Sequence, residues 1–193
     1  MTRQLPRHII SFDAEATSLH GTAFAVGGVL METASGDVVD SFALRAVSHP
    51  PVCDWVRDNV LSRLTDVPTC ATVPKLRDQF WNWLALARRA DAIIVVDCGW
   101  PVEANLLSAC VADYPSRQDQ APYPIHEVAT ILLSAGLDPL GNYWTTQMSD
   151  AEQALRHNPL VDAKQSALCA RTALMRLVSL GALSRTARPM VIR

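Results

Sequence analysis

The segment at 91–97, read D-A-I-I-V-V-D, has five apolar residues between two aspartates and sets the narrowest limit on the fold of this 193-residue chain. Four consecutive β-branched residues make a strand apolar on both faces, as expected for a central strand that helices cover on both sides of a sheet. Three further strands are predicted at 8–15, 22–32 and 38–46, and their short connections favour an antiparallel meander. The chain is therefore predicted to form an α/β fold with a mixed sheet.

Helical periodicity fills most of the remaining chain. Trp55 and Trp83 fall in helical patterns and are interpreted as core residues, and Gly27-Gly28 is interpreted as a β-bulge. The other predicted elements are a helix from Pro101 to about Tyr114, a short strand at 123–126, a helix at 127–135, a long connection at 136–149 and a final helix from Asn158-Pro159 to Gly181. Residues 1–180 are predicted to form one domain and residues 181–193 a C-terminal tail.

Composition limits the classes of function. Apolar residues make up 49% of the chain, but no run approaches the roughly 18 apolar residues of a membrane span, so a soluble protein is expected. The five cysteines form no C-x-x-C pair and the start of the chain has no secretory signal, which favours a reducing cytoplasm. The net charge is −2, so a polyanionic substrate would have to be met locally by metal ions and a few cations.

Two acids on the first predicted strand indicate a metal site. Asp13 and Glu15 are two residues apart, so their side chains share one face of the strand. Carboxylates a few ångströms apart repel each other unless a divalent cation or a shared proton lies between them. A second D-x-E sequence, at Asp150 and Glu152, opens a helical pattern, where acids simply suit the first turn. The strand pair is therefore the candidate for a hard metal ion with oxygen ligands.

Further acids lie where strands end and helices begin, the usual position of sites in open α/β sheets. Asp97 and Glu103 flank the exit of the run at 91–97, and Asp162 opens the last helix. His157 lies just before that helix. The spacing from His157 to Asp162 also occurs elsewhere in the chain, but only here does it join a loop histidine to an acid in the first turn of a helix.

These motifs resemble those of the DEDDh 3′-to-5′ exonucleases, a family with a ribonuclease H-like fold. The sequence Asp13-Ala14-Glu15-Ala16-Thr17-Ser18-Leu19 is similar to their D-x-E-x-T-G-L motif with serine in place of glycine. His157 and Asp162 are similar to the last motif of the family. Glu103, followed by Leu107, stands where the family usually has aspartate, as in the DEEDh variant of coronavirus proofreading exoribonucleases.

The resemblance spans about residues 9–177. Within the family, Trp55-Val56-Arg57-Asp58-Asn59-Val60-Leu61 is similar to a segment of the mycobacterial ribonuclease T-like exoribonucleases. The resemblance implies a ribonuclease H-like mixed sheet, with three antiparallel strands followed by parallel strands and flanked by helices. It also makes a homodimer an expectation.

The resemblance implies a role for each motif residue. Two ions of Mg²⁺ or Mn²⁺ would be held by carboxylates and would clamp the attacking water and the leaving oxygen. His157 would act as general base, because its ordinary pKa lies near neutrality. The expected metal ligands are Asp13, Glu15 and Asp162, with Glu103 as the fourth acid and Asp97 as the alternative; Thr17 and Leu19 are expected to abut the terminal nucleotide. An acid at position 97 could instead satisfy backbone N–H groups in the turn that follows it.

Two functions remain open at this point. The first is a metal-dependent exonuclease that trims single-stranded nucleic acid from the 3′ end, with RNA favoured over DNA. The second is a ribonuclease H-like module that binds nucleic acid or a partner protein without cutting. The complete set of acids and the histidine favours catalysis, because clustered carboxylates would repel the phosphates that a binding module must attract.

Overall fold

The central sheet has six strands in a computed structural model that describes residues 3–141 and 149–184. The strands of the described chain are β1 (Arg3–Gln4), β2 (His8–Ala16), β3 (Ala23–Glu32), β4 (Val38–Ser48), β5 (Thr69–Thr72), β6 (Ala92–Val96), β7 (His126–Glu127) and β8 (Leu183–Ser184). Strands β1 and β8 pair only with each other, and the central sheet has the order β5-β4-β3-β2-β6-β7. In it β2, β3 and β4 are antiparallel, and the other three strands run parallel to their neighbours. The predicted mixed sheet is confirmed.

Helices connect and cover these strands. They are α1 (Asp54–Asn59), α2 (Val73–Ala87), α3 (Ala104–Asp113), α4 (Val128–Ser134), α5 (Asp150–Gln153) and α6 (Pro159–Ser179). A π-helical turn, Gly99–Glu103, precedes α3, so the regular helix begins three residues later than predicted. No helix within the described ranges has the length and apolar character that a membrane crossing requires.

Two short strands depart from the sequence prediction. Thr69–Thr72 exposes three of its four residues, so it carries no alternating pattern that would predict a strand. Leu183–Ser184 lies in the predicted tail, yet it pairs in parallel with Arg3–Gln4. The domain boundary at residue 180 stays a prediction, and most of the long connection predicted before Asp150 lies outside the described residues.

The central strands are buried on both faces. Ile94 and Val96 of β6 join a core formed with α2 and α3, whereas Val95 joins a second core formed with α4 and α6. This alternation confirms the prediction that residues 91–97 form a strand covered on both sides. The two cores hold β2 rigidly between β3 and β6, and β2 carries the first pair of acids.

The two glycines of β3 do not form the predicted bulge. Gly27 pairs with Asp13 and Gly28 with Phe12 without interruption, and the register shifts lie elsewhere along the strand. A Cβ atom on Gly27 would lie 2.2 Å from the backbone nitrogen of Leu160, in the first turn of α6. Glycine is therefore needed because the helix rests directly on the strand, and this contact brings the start of α6 beside Asp13.

Candidate active site

Strand β2 and the start of α6 bring four of the predicted residues into one cleft. Asp13 and Glu15 line a cavity of about 340 Å³ together with His157 and Asp162. Asp97, at the end of β6, lines it as well. We call this cavity the acid cleft. The ligand atoms of Glu15, His157 and Asp162 all lie within 4.8 Å of one another.

The loop before α6 is fixed by the helix that follows it. Asn158 caps α6 by accepting a hydrogen bond from the Leu160 amide at 3.1 Å. Asp162 accepts a hydrogen bond from the backbone amide of His157 at 2.8 Å. This bond supports His157 in a left-handed conformation with φ of +70°, which is uncommon for a residue other than glycine and often occurs at functional sites.

The imidazole of His157 points toward the first motif. Its Nδ1 atom lies 3.7 Å from Oε1 of Glu15. The ring of Trp55 meets it edge-on, with centroids 5.3 Å apart. Burial, together with the positive charges of Arg156 and Arg63, lowers the pKa of His157 below its ordinary value. The ring is therefore held neutral near pH 7, the form that can accept a proton.

Glu103 approaches Asp13 from the other side of β2. Its side chain is only 7% exposed, and Oε1 accepts a hydrogen bond from the Ala14 amide at 3.3 Å. It does not line the acid cleft but a neighbouring one, the side cleft, together with Asp13, Leu19, Asp97 and Trp100. Glu103 thus lies beside the first motif and is less exposed than the other acids.

Asp97 is exposed and lines both clefts. The structural role considered for it belongs to another residue, because the Gly99 amide in the following turn donates to Oε1 of Glu127 at 3.0 Å. Glu127 was not recognisable from the sequence, since it lies in the short strand β7, far from Gly99 along the chain. The Asp97 carboxylate forms no hydrogen bond or ion pair with another residue of the described ranges, and its role at the site stays a prediction.

Crowding and burial raise the pKa values of these acids. Burial, and then the charges of Asp162 and Glu15, hold the pKa of Asp13 well above its ordinary value. Burial is also the main cause for Glu15, with a pKa of about 8, for Glu103, with about 7, and for Asp162, with about 6. Without a compensating cation, part of this cluster holds protons at neutral pH. Such a set of oxygen donors fits hard divalent cations.

The two residues predicted to abut a nucleotide lie in different surroundings. Leu19 is 66% exposed and lines the side cleft. Thr17 is buried, and its hydroxyl accepts a hydrogen bond from the Thr22 amide at 3.0 Å, which closes the turn between β2 and β3. The structure therefore brings Leu19 to the open side of the site and leaves Thr17 behind it.

Two tryptophans at the site were not predicted to be there. Trp83 is buried as expected, but the core interpretation is wrong for Trp55, which is 56% exposed and lines the acid cleft. The following residue, Val56, takes the buried position on the same helix. Trp100 is 66% exposed beside the side cleft. Helical spacing could not reveal either placement, because both segments are too short to define one apolar face.

No family model and no curated protein matches the chain. Solved structures do match. The nuclease domain of 3′hExo, described as a DEDDh family member bound to rAMP, aligns with a TM-score of 0.55 over 96% of this chain and 99% of that one. This is the fold of a DEDDh exonuclease. A structure on 3′-end specific recognition of histone mRNA stem-loop by a 3′-exonuclease has a TM-score of 0.56 over 100% of this chain and 75% of that one.

A full-length 3′-exonuclease aligns with a TM-score of 0.52 over 94% of this chain and 64% of that one. Sequence identity to these three structures is 14–15%, so the similarity to the DEDDh exonucleases concerns the fold. The predicted ribonuclease H-like architecture is confirmed.

Proposed function

We propose that the protein is a metal-dependent 3′-to-5′ exonuclease that hydrolyses single-stranded nucleic acid. The observation that carries this proposal is the convergence of Glu15, His157 and Asp162 within 4.8 Å, beside Asp13, on the fold of known 3′-exonucleases. RNA is the favoured substrate, because the neighbouring structures are described with rAMP and with an mRNA stem-loop.

The acids would hold the metal ions. Asp13, Glu15 and Asp162 would be ligands, and Glu103, or Asp97 in its place, would complete the set. Two divalent ions, Mg²⁺ or Mn²⁺, would when bound supply positive charge that stabilises the phosphate undergoing hydrolysis. Deprotonation of the crowded carboxylates would follow from that charge, because an opposite charge nearby favours the ionised form.

The remaining residues would position the substrate and move the proton. His157 would accept the proton of the attacking water at a ring nitrogen, since its lowered pKa keeps the ring neutral. The exposed side chains of Leu19 and Trp55 would contact the terminal nucleotide through their apolar surfaces. Thr17 would support Leu19 from behind through its bond to the Thr22 amide.

Incubation with matched RNA and DNA oligonucleotides tests the proposal directly. We expect 5′-labelled strands to shorten stepwise from the 3′ end with Mn²⁺ and to stay intact with EDTA, and the RNA strand to shorten faster. A protein that binds the strands in both conditions without shortening them would instead be the non-catalytic module. A strand labelled at its 3′ end should lose its label in the first step, which distinguishes an exonuclease from an endonuclease.

Replacing His157 with alanine should lower turnover by about 10²- to 10⁴-fold with little change in metal affinity, because general-base catalysis contributes that much. The wild-type rate at saturating Mn²⁺ should rise with pH with its midpoint below 6.5, because burial lowers the pKa of His157 from 6.5 and only the neutral ring accepts a proton. His126→Ala, at an exposed position on β7, is the matched control. Near-normal turnover of His157→Ala would exclude this residue as the base.

A pair of isosteric substitutions separates Glu103 from Asp97. Glu103→Gln should lose activity by more than about 100-fold, as expected for a metal ligand, and should stay folded because the amide oxygen can still accept from Ala14. Asp97→Asn should stay folded and lose less activity, since Asp97 is exposed. The cleavage rate and the unfolding midpoint of each variant together decide which residue is the fourth acid. An active Glu103→Gln beside an inactive, folded Asp97→Asn would make Asp97 the fourth acid.

A cytoplasmic location and a homodimer also stay predictions. The five cysteines are free thiols, which agrees with a reducing compartment. The homodimer rests on the ribonuclease T resemblance, and sedimentation of the purified protein at micromolar concentration would measure it.

A further inference from the structure

The acid cleft contains one side chain of the opposite charge. Among the described residues that line it, Arg156 is the only lysine or arginine. Its side chain is exposed, and its guanidinium forms no ion pair or hydrogen bond with any other described residue. An arginine that no described residue pairs, beside a cluster of carboxylates, needs an explanation, because its five fixed N–H donors suit a carboxylate or a phosphate.

Several other arginines of the described chain have structural partners. They pair with carboxylates or bond to backbone carbonyl groups: Arg57 with Asp54 and Asp58, Arg77 with Asp113, Arg117 with Asp78, Arg171 with the carbonyls of Thr33 and Ala34, and Arg176 with the carbonyl of Ala135. Arg156 differs from these because it lies beside the acids of the cleft without an ion pair or hydrogen bond to a described residue.

The backbone holds Arg156 at the mouth of the cleft. The residue immediately precedes His157, whose left-handed turn is fixed by the bond to Asp162. Its charge opposes the burial that raises the pKa values of Asp97 and Asp162, and it adds to the burial that lowers the pKa of His157. The guanidinium is thus close enough to act on the acids without being paired to any of them.

The balance of charges in the site indicates a role for the positive charge of Arg156. The site has five acids, Asp13, Glu15, Asp97, Glu103 and Asp162. When all five are ionised, two divalent cations leave one negative charge uncompensated, and that charge would repel a phosphate. A cation that faces Asp97 and Asp162 removes this excess and still has N–H donors to offer to the substrate.

We propose that Arg156 is a substrate-binding residue that contacts a backbone phosphate at the 3′ end of the bound strand. This inference rests on the proposed function and extends it by naming a phosphate contact outside the residues that match the family motifs. The ligand class is a phosphodiester, and the contact is independent of base and sugar, so it should act equally on RNA and DNA.

Binding without hydrolysis provides the first measurement. The probe is a 5′-fluorescein-labelled ten-nucleotide oligoadenylate in Ca²⁺, with its integrity checked on a gel and its binding followed by fluorescence anisotropy. Arg156→Gln should weaken binding about ten-fold, since a hydrogen bond to a charged group is lost. The slope of log affinity against log salt should fall by about 0.7, the value for one phosphate contact on a single strand. Arg156→Lys should lie between the wild type and Arg156→Gln.

Arg63→Gln is the matched control. Arg63 is also exposed and its charge also lowers the pKa of His157, but it does not line the acid cleft. The carbonyl of Arg63 accepts from the Asn158 side chain, and that backbone bond survives the substitution. Unchanged binding by Arg63→Gln, beside weakened binding by Arg156→Gln, supports a specific contact. Equal weakening by both variants would mean general electrostatic attraction and would overturn it.

Kinetics with Mn²⁺ separates binding from an effect on the base. Arg156→Gln should raise KM about ten-fold and leave kcat within a few-fold, because the lost interaction is present before the chemical step. A loss confined to kcat would assign Arg156 to the positioning of His157 and overturn the proposal. If the wild type cleaves the strand and Arg156→Gln binds it with wild-type affinity, this inference alone is overturned. If the wild type does not cleave, both the proposed function and this inference are overturned.

Discussion

Replacing Asp162 with asparagine should lower hydrolysis by more than about 100-fold, because changes even to residues that only support metal ligands cost about 10- to 100-fold. The fold should survive, since the amide oxygen of asparagine can accept the same hydrogen bond from the His157 backbone. Single-turnover rates at saturating Mn²⁺ measure the loss. A folded Asp162→Asn protein with wild-type rates would exclude the acid cleft as the metal site.

The same substitution should make the metal-free protein more stable at alkaline pH. Burial raises the pKa of Asp162 from 3.8 to about 6, so the folded state keeps a proton at pH values where the unfolded state has lost it. Stability from this group is complete below the unfolded pKa and falls as the pH rises through about 6. The loss of stability continues toward pH 8 because the pKa of Glu15 is raised to about 8. Asparagine cannot ionise, so the variant lacks the loss of stability with rising pH that is due to Asp162.

Urea unfolding in EDTA at pH 5 and pH 8 measures this difference. The wild type should lose stability between the two values, and Asp162→Asn should lose less. Added Mn²⁺ should raise the midpoint of the wild type more than that of the variant, because the cation compensates the charges that crowding penalises. A wild type that gains stability between pH 5 and pH 8 without metal would contradict the crowded-acid description.

Replacing Gly27 with alanine should damage both stability and activity. The added Cβ atom would lie 2.2 Å from the Leu160 amide and the Pro159 carbonyl carbon, and backbone atoms cannot move aside as a side chain does. Overpacking of this kind costs about 1–3 kcal/mol. Relief of the clash lifts the first turn of α6 from the sheet and carries Asp162 away from Asp13, so the rate should fall even in protein that remains folded.

Gly28→Ala is the control for that experiment. Its Cβ atom would meet the Trp83 ring at 2.5 Å, on the face of β3 that belongs to the other core. This variant should lose stability while its folded fraction keeps wild-type activity, because α6 is not displaced. Rates corrected for the folded fraction compare the two variants. Equal activity of the two folded proteins would show that the contact at Gly27 does not position the site.

The sequence predicted the fold well where burial controls the residue pattern. The run at 91–97 must be apolar on both faces because two layers of helices cover it, so its position in the sheet follows from composition alone. Thr69–Thr72 could not be predicted, because an edge strand exposed to solvent needs no apolar pattern. Gly27 was noticed but misinterpreted, because the helix that requires it is more than 130 residues away in the chain.

The residues of the site likewise divide into those that the sequence could identify and those that only the structure reveals. Asp13 and Glu15 could be placed together because alternation along a strand puts them on one face, and His157 and Asp162 because their position at a helix start resembles a family motif. The roles of Glu127 and Arg156 depend on tertiary neighbours: Glu127 satisfies the turn after Asp97, and Arg156 faces acids from two other segments. Local sequence patterns carry no information about such contacts, so only the folded chain reveals them.

The docking of α6 on β2 and β3 has a consequence for synthesis of the protein. This helix covers one face of the central sheet, including Ile9, Val29 and Met31, and it begins only at Pro159. Until α6 has been synthesised, the central strands therefore lack much of the layer that covers this face and expose apolar side chains, the kind of surface that promotes aggregation or recruits chaperones.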